Sequence, residues 1–284
     1  MRTIFNWIFY SNLYIGICAV AYTLRGQYLL DYPVDILSIC FVFFSSIFTY
    51  LLIRIAAFKR IQEYPKNGRW DFFLRHISVM RILLVLSGIG AIIFYFYLSR
   101  SSAQALLIPG AISLIYGLPL RFGKDQIRLR DIGIMKIFLI AFVWAFVGTA
   151  LPLSQFGGDL YSGKCLLLFT ADFLFILGIT LPFDIKDMEI DQQHRVRTIP
   201  VIIGRSQSIQ LALFLLFISG VIYAKVFRIW PLFERPDYTV PMMISLVISG
   251  MTIYLSTRMN NDYFYFGLLD GMLILQCVLV VGYR

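Results

Sequence analysis

Charge is scarce in this sequence. Only 14% of its 284 residues are Asp, Glu, Lys or Arg, against roughly 25% in an ordinary soluble domain. So few charges cannot cover the surface of a water-soluble globule. With 59% of residues hydrophobic, this composition also excludes a disordered chain, and no low-complexity tract is present. Cysteine is sparse. Cys18, Cys40, Cys165 and Cys277 each sit in an apolar run without CxxC spacing, and this argues against a disulfide framework or a zinc site. His76 and His194 are the only histidines, too few for a metal centre or a nucleophilic triad. Gly88-Ile89-Gly90 lacks the rest of a dinucleotide fingerprint and reads as small-residue helix packing.

What is present is hydrophobicity. Apolar residues make up 59% of the chain, and the mean hydropathy is +0.78. The fold class expected is all-α: a polytopic membrane protein. About 20 largely apolar residues span a bilayer as a helix. Nine such runs occur, at roughly 4–22, 34–57, 78–98, 103–119, 133–153, 164–182, 207–227, 239–256 and 264–283. No long polar segment divides them, so residues 1–284 are expected to form a single domain. Arg2, an apolar run and Ala19-Val20-Ala21 give the first run a rival reading as a signal peptide. Asn6, Ser11, Asn12 and several aromatics interrupt it, and its retention as the first helix is the expectation.

The bases are unevenly distributed. The chain holds 25 bases and 16 acids, a net charge of +9. Loops after the second, fourth, sixth and eighth runs carry fourteen bases, among them Lys59, Arg60, Arg121, Lys124, Lys186, Arg205 and Arg258, whereas the alternate loops carry five. Cytoplasmic loops concentrate Lys and Arg. The even-numbered loops are therefore expected in the cytoplasm, with the N-terminus inside and the C-terminus opposite, in a cytoplasmic (inner) membrane. The excess charge matches anionic lipid headgroups, and the sequence has no nucleic-acid-binding pattern. Aromatics form 17% of residues; Tyr95, Tyr97 and Trp230 fall near expected interfaces, where aromatic belts are normal.

One segment concentrates acids. Pro182-Phe183-Asp184-Ile185-Lys186-Asp187-Met188-Glu189-Ile190-Asp191 closes the sixth run. On a helix Asp184, Asp187 and Asp191 fall within about 60° of one face. Two readings fit. The first is a Mg²⁺ site, because this ion joins one or two carboxylates to substrate phosphates, with Arg195, Arg197 and Arg205 contacting phosphate oxygens. The second is a solvated acidic turn, with Lys186 and the arginines as ion-pair partners.

The stretch from Asp184 to Gly204 resembles the second aspartate-rich motif of the UbiA superfamily of intramembrane prenyltransferases: the acids are followed by Arg197-Thr198-Ile199-Pro200 and then Gly204. Tyr116 to Pro119, and Asp131 to Trp144 with Lys136, are similar to the family's fourth and fifth helices, and Asp270-Gly271-Met272 resembles a subset of members. The resemblance implies nine helices around a central cavity, with Mg²⁺ as cofactor. It also implies a prenyl diphosphate and a lipophilic aromatic or quinone-precursor acceptor as binding partners. Asp184, Asp187 and Asp191 would then be catalytic and metal-binding, and Arg195, Arg197 and Lys136 would contact substrate. Tyr116 would stabilise a cation through its ring face or pack.

The chain departs from the family at its first motif, NDxxDxxxD. No Asp, Glu or Asn occurs between Asp35 and Glu63. Arg54, Lys59 or Arg60 is a candidate direct contact for diphosphate there, or an interfacial anchor. Ile190 and Arg195 stand where glycine is common. Asp172 and Asp270 lie inside apolar runs, so each is expected to face the bundle interior, as an acceptor-binding or proton-shuttling acid or as a structural one. Three functions follow: a prenyltransferase, a catalytically impaired isoprenoid-binding relative, and a transporter using Asp172 and Asp270 as coupling acids.

Overall fold

The structure, a computed structural model, describes residues 2–58, 68–117, 120–122, 125–127, 133–229, 237–259 and 261–283. Lys59, Arg60, Asp131 and Trp230 lie outside them. Fourteen α-helices follow in order: α1 (Arg2–Tyr10), α2 (Leu13–Leu29), α3 (Ile36–Phe58), α4 (Gly68–Arg75), α5 (Ile77–Tyr95), α6 (Arg100–Ala105), α7 (Leu107–Gly117), α8 (Met135–Ala145), α9 (Leu151–Gln155), α10 (Gly163–Gln193), α11 (Ile199–Ile203), α12 (Arg205–Ala224), α13 (Thr239–Leu255) and α14 (Met272–Tyr283). Five- or six-residue π turns occupy Phe146–Ala150, Lys225–Ile229 and Phe264–Leu269. A small antiparallel hairpin, β1 (Leu120–Phe122) and β2 (Asp125–Ile127), pairs Arg121 with Gln126. The sequence reading has a plain loop there.

Local chemistry sets the helix boundaries. The Ser162 hydroxyl accepts from the Cys165 amide at the start of α10, and Ser99 accepts from Ser102 at the start of α6. Such caps satisfy amides that a helix leaves orphaned at its first turn. Asn12 adopts a left-handed conformation (φ 67°), and α1 and α2 meet there at 60°. The first expected span is thus bent, and its helix continues to Leu29 rather than ending at 22.

Among the described residues six helices are long and apolar enough to cross a membrane, or seven with the bent α1–α2 pair as one span. The expected count of nine is not confirmed. The run at 103–119 is broken into α6 and α7, and α13 has 17 residues. Large apolar side chains such as Ile82, Val85, Leu86, Ile89 and Ile92 on α5 are exposed. An apolar exterior of this extent suits lipid, not water.

Helix α10 packs chiefly on α12 and α8, α2 on α14 and α3, and α3 on α5. Small residues permit the closest approaches. A Cβ on Gly26 would lie 1.8 Å from the Gly148 carbonyl oxygen, so α2 and the π turn at 146–150 touch backbone to backbone. Beside that contact Arg25 and Asp172 form a fully buried, two-pronged ion pair, Nη1 to Oδ1 at 2.9 Å and Nη2 to Oδ2 at 2.5 Å. Thr149 donates to Asp172 at 2.6 Å, Tyr223 donates to it as well, and Arg25 reaches Gln276 at 3.1 Å. Asp172 is therefore a structural acid.

Candidate active site at the end of helix α10

Helix α10 has 31 residues, a length of about 46 Å at 1.5 Å per residue. A hydrocarbon core about 30 Å thick needs only about 20 of them. The remainder carries the acid cluster. Pro182 lies inside the helix without ending it, and Asp184 is buried just beyond.

Seven residues are nearly two full turns, so Asp184 and Asp191 differ by about 20° around α10, while Asp187 stands about 60° from Asp184. That difference decides what meets. The Lys136 ammonium, from α8, lies 2.9 Å from Asp184 Oδ1 and 3.3 Å from Asp191 Oδ2. All three side chains are largely shielded, with exposures of 13%, 6% and 15% for Lys136, Asp184 and Asp191. Asp187 is exposed instead. Among the described residues no three Asp, Glu, His or Cys side chains gather at metal-holding distance. Of the three expected carboxylates, Asp184 and Asp191 meet at Lys136 and Asp187 lies outside that contact. Asp184 Oδ2 is buried and has no hydrogen-bond partner among the described residues.

Gly133 explains how Lys136 arrives there. A Cβ on Gly133 would fall 2.0 Å from the Arg197 carbonyl oxygen, so the start of α8 rests directly on the segment after α10. An apolar groove lined by Gly133, Ile134, Met135, Phe138 and Arg197 opens beside this contact.

The end of α10 is a Schellman cap. The Val196 amide donates to the Asp191 carbonyl (2.8 Å) and the Arg195 amide to that of Gln192 (3.1 Å). Arg195 takes the left-handed conformation this cap requires, φ 57°, which is why glycine suits the position. Arg195 and Arg197 are exposed. Gly204, between α11 and α12, has φ 84° and ψ 164°, a region essentially reserved for glycine.

Lys186 does not join the nearby arginines. It pairs with Asp262, far along the chain, and lies over the rings of Tyr265 (4.8 Å) and Phe266 (5.4 Å). Arg205 reaches the Thr257 carbonyl at 3.4 Å. Arg54 donates to the Tyr10 carbonyl at 2.5 Å and sits 5.7 Å from the Phe73 ring, contacts that hold it to α1 and α4. Tyr116 lies within electrostatic reach of Lys136 and of Tyr50, and half-buried Asp270 within that of Tyr50, Tyr14 and Cys18. Tyr14 itself donates to the Gly267 carbonyl at 2.7 Å. The sequence singles out Tyr116 and Asp270 but not Tyr14 and Tyr50, which stand in apolar runs as many of the 17 tyrosines do.

A bundle of long apolar helices with a shielded acid–lysine cluster at one helix end defines an integral membrane protein. A model of the UbiA prenyltransferase family matches residues 74–263, and the chain belongs to that family. No curated protein matches it by sequence. Among solved structures it is similar to a UbiA homolog from Aeropyrum pernix K1 (15% identity, TM-score 0.65, covering 94% of this chain and 97% of that one). A UbiA homolog from Archaeoglobus fulgidus bound to GPP and Mg²⁺ is also similar (13%, TM-score 0.66, 98% and 99%). So is a structure described for digeranylgeranylglyceryl phosphate synthase in membranes (16%, TM-score 0.55, 99% and 99%). At these identities the likeness carries the fold.

Proposed function

We propose that this chain, as one domain over residues 1–284, transfers an isoprenoid group from a prenyl diphosphate to a lipophilic aromatic or quinone-precursor acceptor. The observation that carries this reading is the convergence of Asp184, Asp191 and Lys136 at the end of α10 in a member of the UbiA family. The GPP and Mg²⁺ bound by the Archaeoglobus homolog support it. With the even-numbered loops cytoplasmic, this end of α10 faces the cytoplasm of an inner membrane, with the N-terminus on the same side and the C-terminus opposite.

The donor set fits one Mg²⁺. Asp184 and Asp191 supply hard oxygens, and Asp184 Oδ2 is buried without a hydrogen-bond partner among the described residues; one or two carboxylates with phosphate and water suffice for this ion. When bound, it supplies neutralisation of the charge that develops on the departing diphosphate. Asp187, exposed on the same helix, would contribute through water, which this ion keeps in its shell. Lys136, Arg195 and Arg197 offer ammonium and guanidinium contacts to phosphate oxygens. Tyr116 presents a ring face to the allylic carbon as positive charge grows. Asp270, with Tyr14 and Tyr50 nearby, orients the acceptor and takes its proton. Apolar helices around these groups exclude water that would intercept the allylic carbon. Arg54 is assigned to holding α1, not to substrate.

The first-motif region of α3 offers no carboxylate from Thr49 to Ala56, and this favours a second reading, an isoprenoid-binding relative without turnover. A transporter is disfavoured by the locked pairing of Asp172. The deciding experiment reconstitutes the protein in lipid and measures Mg²⁺-dependent diphosphate release from labelled prenyl diphosphates with a panel of acceptors. Asp184→Asn, Asp187→Asn and Asp191→Asn are compared with wild type. Turnover untouched by all three removes the catalytic assignment. Saturable binding without release selects the second reading.

A further inference from the structure

We propose that Lys136 is a tethered counter-ion that stands between Asp184 and Asp191 in place of a divalent cation and keeps metal out until an anionic ligand draws the ammonium away. The second half of this statement rests on the diphosphate reading above. The first half stands on geometry alone.

One ammonium serves two carboxylates on a different helix, at 2.9 and 3.3 Å. These carboxylates are the ones whose near-identical angular position on α10 lets them share an ion. A lysine ammonium is a compact point charge with three donors, and it sits where a small hard cation would sit. Its delivery is fixed in the backbone. Gly133, three residues earlier, rests against the Arg197 carbonyl, so α8 cannot back away from α10 without losing that contact.

Two cations cannot share this position. Mg²⁺ binds carboxylate oxygens at about 2.1 Å and holds its remaining waters in an octahedron. To bridge Asp184 and Asp191 it must displace the Lys136 ammonium. A bare metal ion would leave that ammonium unpaired in a site where Lys136 is only 13% exposed, and a poorly solvated unpaired charge is costly. A metal ion that arrives with diphosphate changes the balance. The anion offers phosphate oxygens to the displaced ammonium, which exchanges one negative partner for another. Metal and diphosphate therefore bind with positive coupling, and by linkage each raises the affinity of the other by the same factor. The unpartnered Oδ2 of Asp184 is a coordination position that the lysine leaves unused.

The test uses the full chain in lipid nanodiscs, with Mn²⁺ as the spectroscopic probe and inorganic diphosphate as the anion. Mn²⁺ affinity is measured by electron paramagnetic resonance without and with diphosphate. Wild type is expected to bind Mn²⁺ weakly alone and about tenfold or more tightly with diphosphate. Lys136→Met is expected to bind Mn²⁺ alone at least about tenfold more tightly than wild type, with most of the coupling lost. Adding Asp184→Asn to Lys136→Met should abolish the gain. Equal Mn²⁺ affinity in folded wild type and Lys136→Met overturns the proposal. If Lys136→Met does not fold, Lys136→Gln takes its place, and a wild type whose Mn²⁺ affinity ignores diphosphate overturns the coupling by itself. A wild type that binds no diphosphate, alongside a Lys136 variant that still gains Mn²⁺ affinity, overturns the prenyl-diphosphate reading and supports the counter-ion role.

Discussion

Gly133 and Arg197 touch backbone to backbone: a methyl group on the glycine would stand 2.0 Å from the arginine's carbonyl oxygen. This contact fixes the first turn of α8 against the turn that follows α10, and so sets where Lys136 meets Asp184 and Asp191. Gly133→Ala must push these segments apart. We expect a destabilisation of about 1–3 kcal/mol, the range for overpacking a close contact, together with weaker prenyl-diphosphate binding. Thermal unfolding in nanodiscs and equilibrium binding check the two effects. A variant with unchanged affinity would disconnect the contact from the site.

The two shielded aspartates should matter more than the exposed one. Asp184→Asn and Asp191→Asn are each expected to lower turnover at least about tenfold more than Asp187→Asn, a difference of about 1.4 kcal/mol in barrier. Steady-state kinetics on the three purified variants measures the order. The reverse order would move the centre of the site to the outer face of α10.

The Arg25–Asp172 pair gives a stability prediction. Removing one partner leaves a buried charge uncompensated, at a cost of about 3–5 kcal/mol. Asp172→Leu and Arg25→Met alone should each show a loss of that size. The double variant should lose much less than the sum, because both charges leave together. Denaturant titration in mixed micelles reads all three, and strictly additive losses would contradict the pairing.

Two backbone positions should respond in opposite directions to glycine chemistry. Arg195 adopts φ 57°, a conformation that costs an L-residue roughly 1–2 kcal/mol. Arg195→Gly is expected to leave stability unchanged or raise it, by up to about 1 kcal/mol, while weakening diphosphate binding. Gly204 has φ 84° and ψ 164°, and Gly204→Ala should cost about 1–3 kcal/mol. A destabilised Arg195→Gly would show that its side chain, not its backbone, holds the cap.

Much of the fold was legible because apolar runs and helices follow the same physical constraint, a bilayer about 30 Å thick. Among the described residues each run is largely helix, although composition could not foresee the bend at Asn12, the break between α6 and α7, or the hairpin at 120–127. These depend on dihedral angles and pairing rather than on hydropathy. The acid cluster was legible from its spacing, and family likeness pointed to Lys136. Their meeting was not, because it depends on a glycine whose importance appears only when another strand of backbone lies against it. The pairing of Lys186 with Asp262 was hidden for a similar reason: nothing local to residue 186 names a partner 76 positions away. Sequence leaves Asp172 open between a functional and a structural role, because its partner Arg25 lies 147 positions away and reads as a loop base.

The Arg25–Asp172 network also has a consequence for how the chain is made. Arg25 is synthesised 147 residues before the carboxylate it binds, and Gln276 follows another 104 residues later. Helix α2 therefore enters the bilayer with a cation whose counter-charge does not yet exist. The ion pair closes only once α10 has followed, and the rest of the network only once α12 and α14 are in place. A contact made by one of the first helices is thus among the last that the bundle can complete.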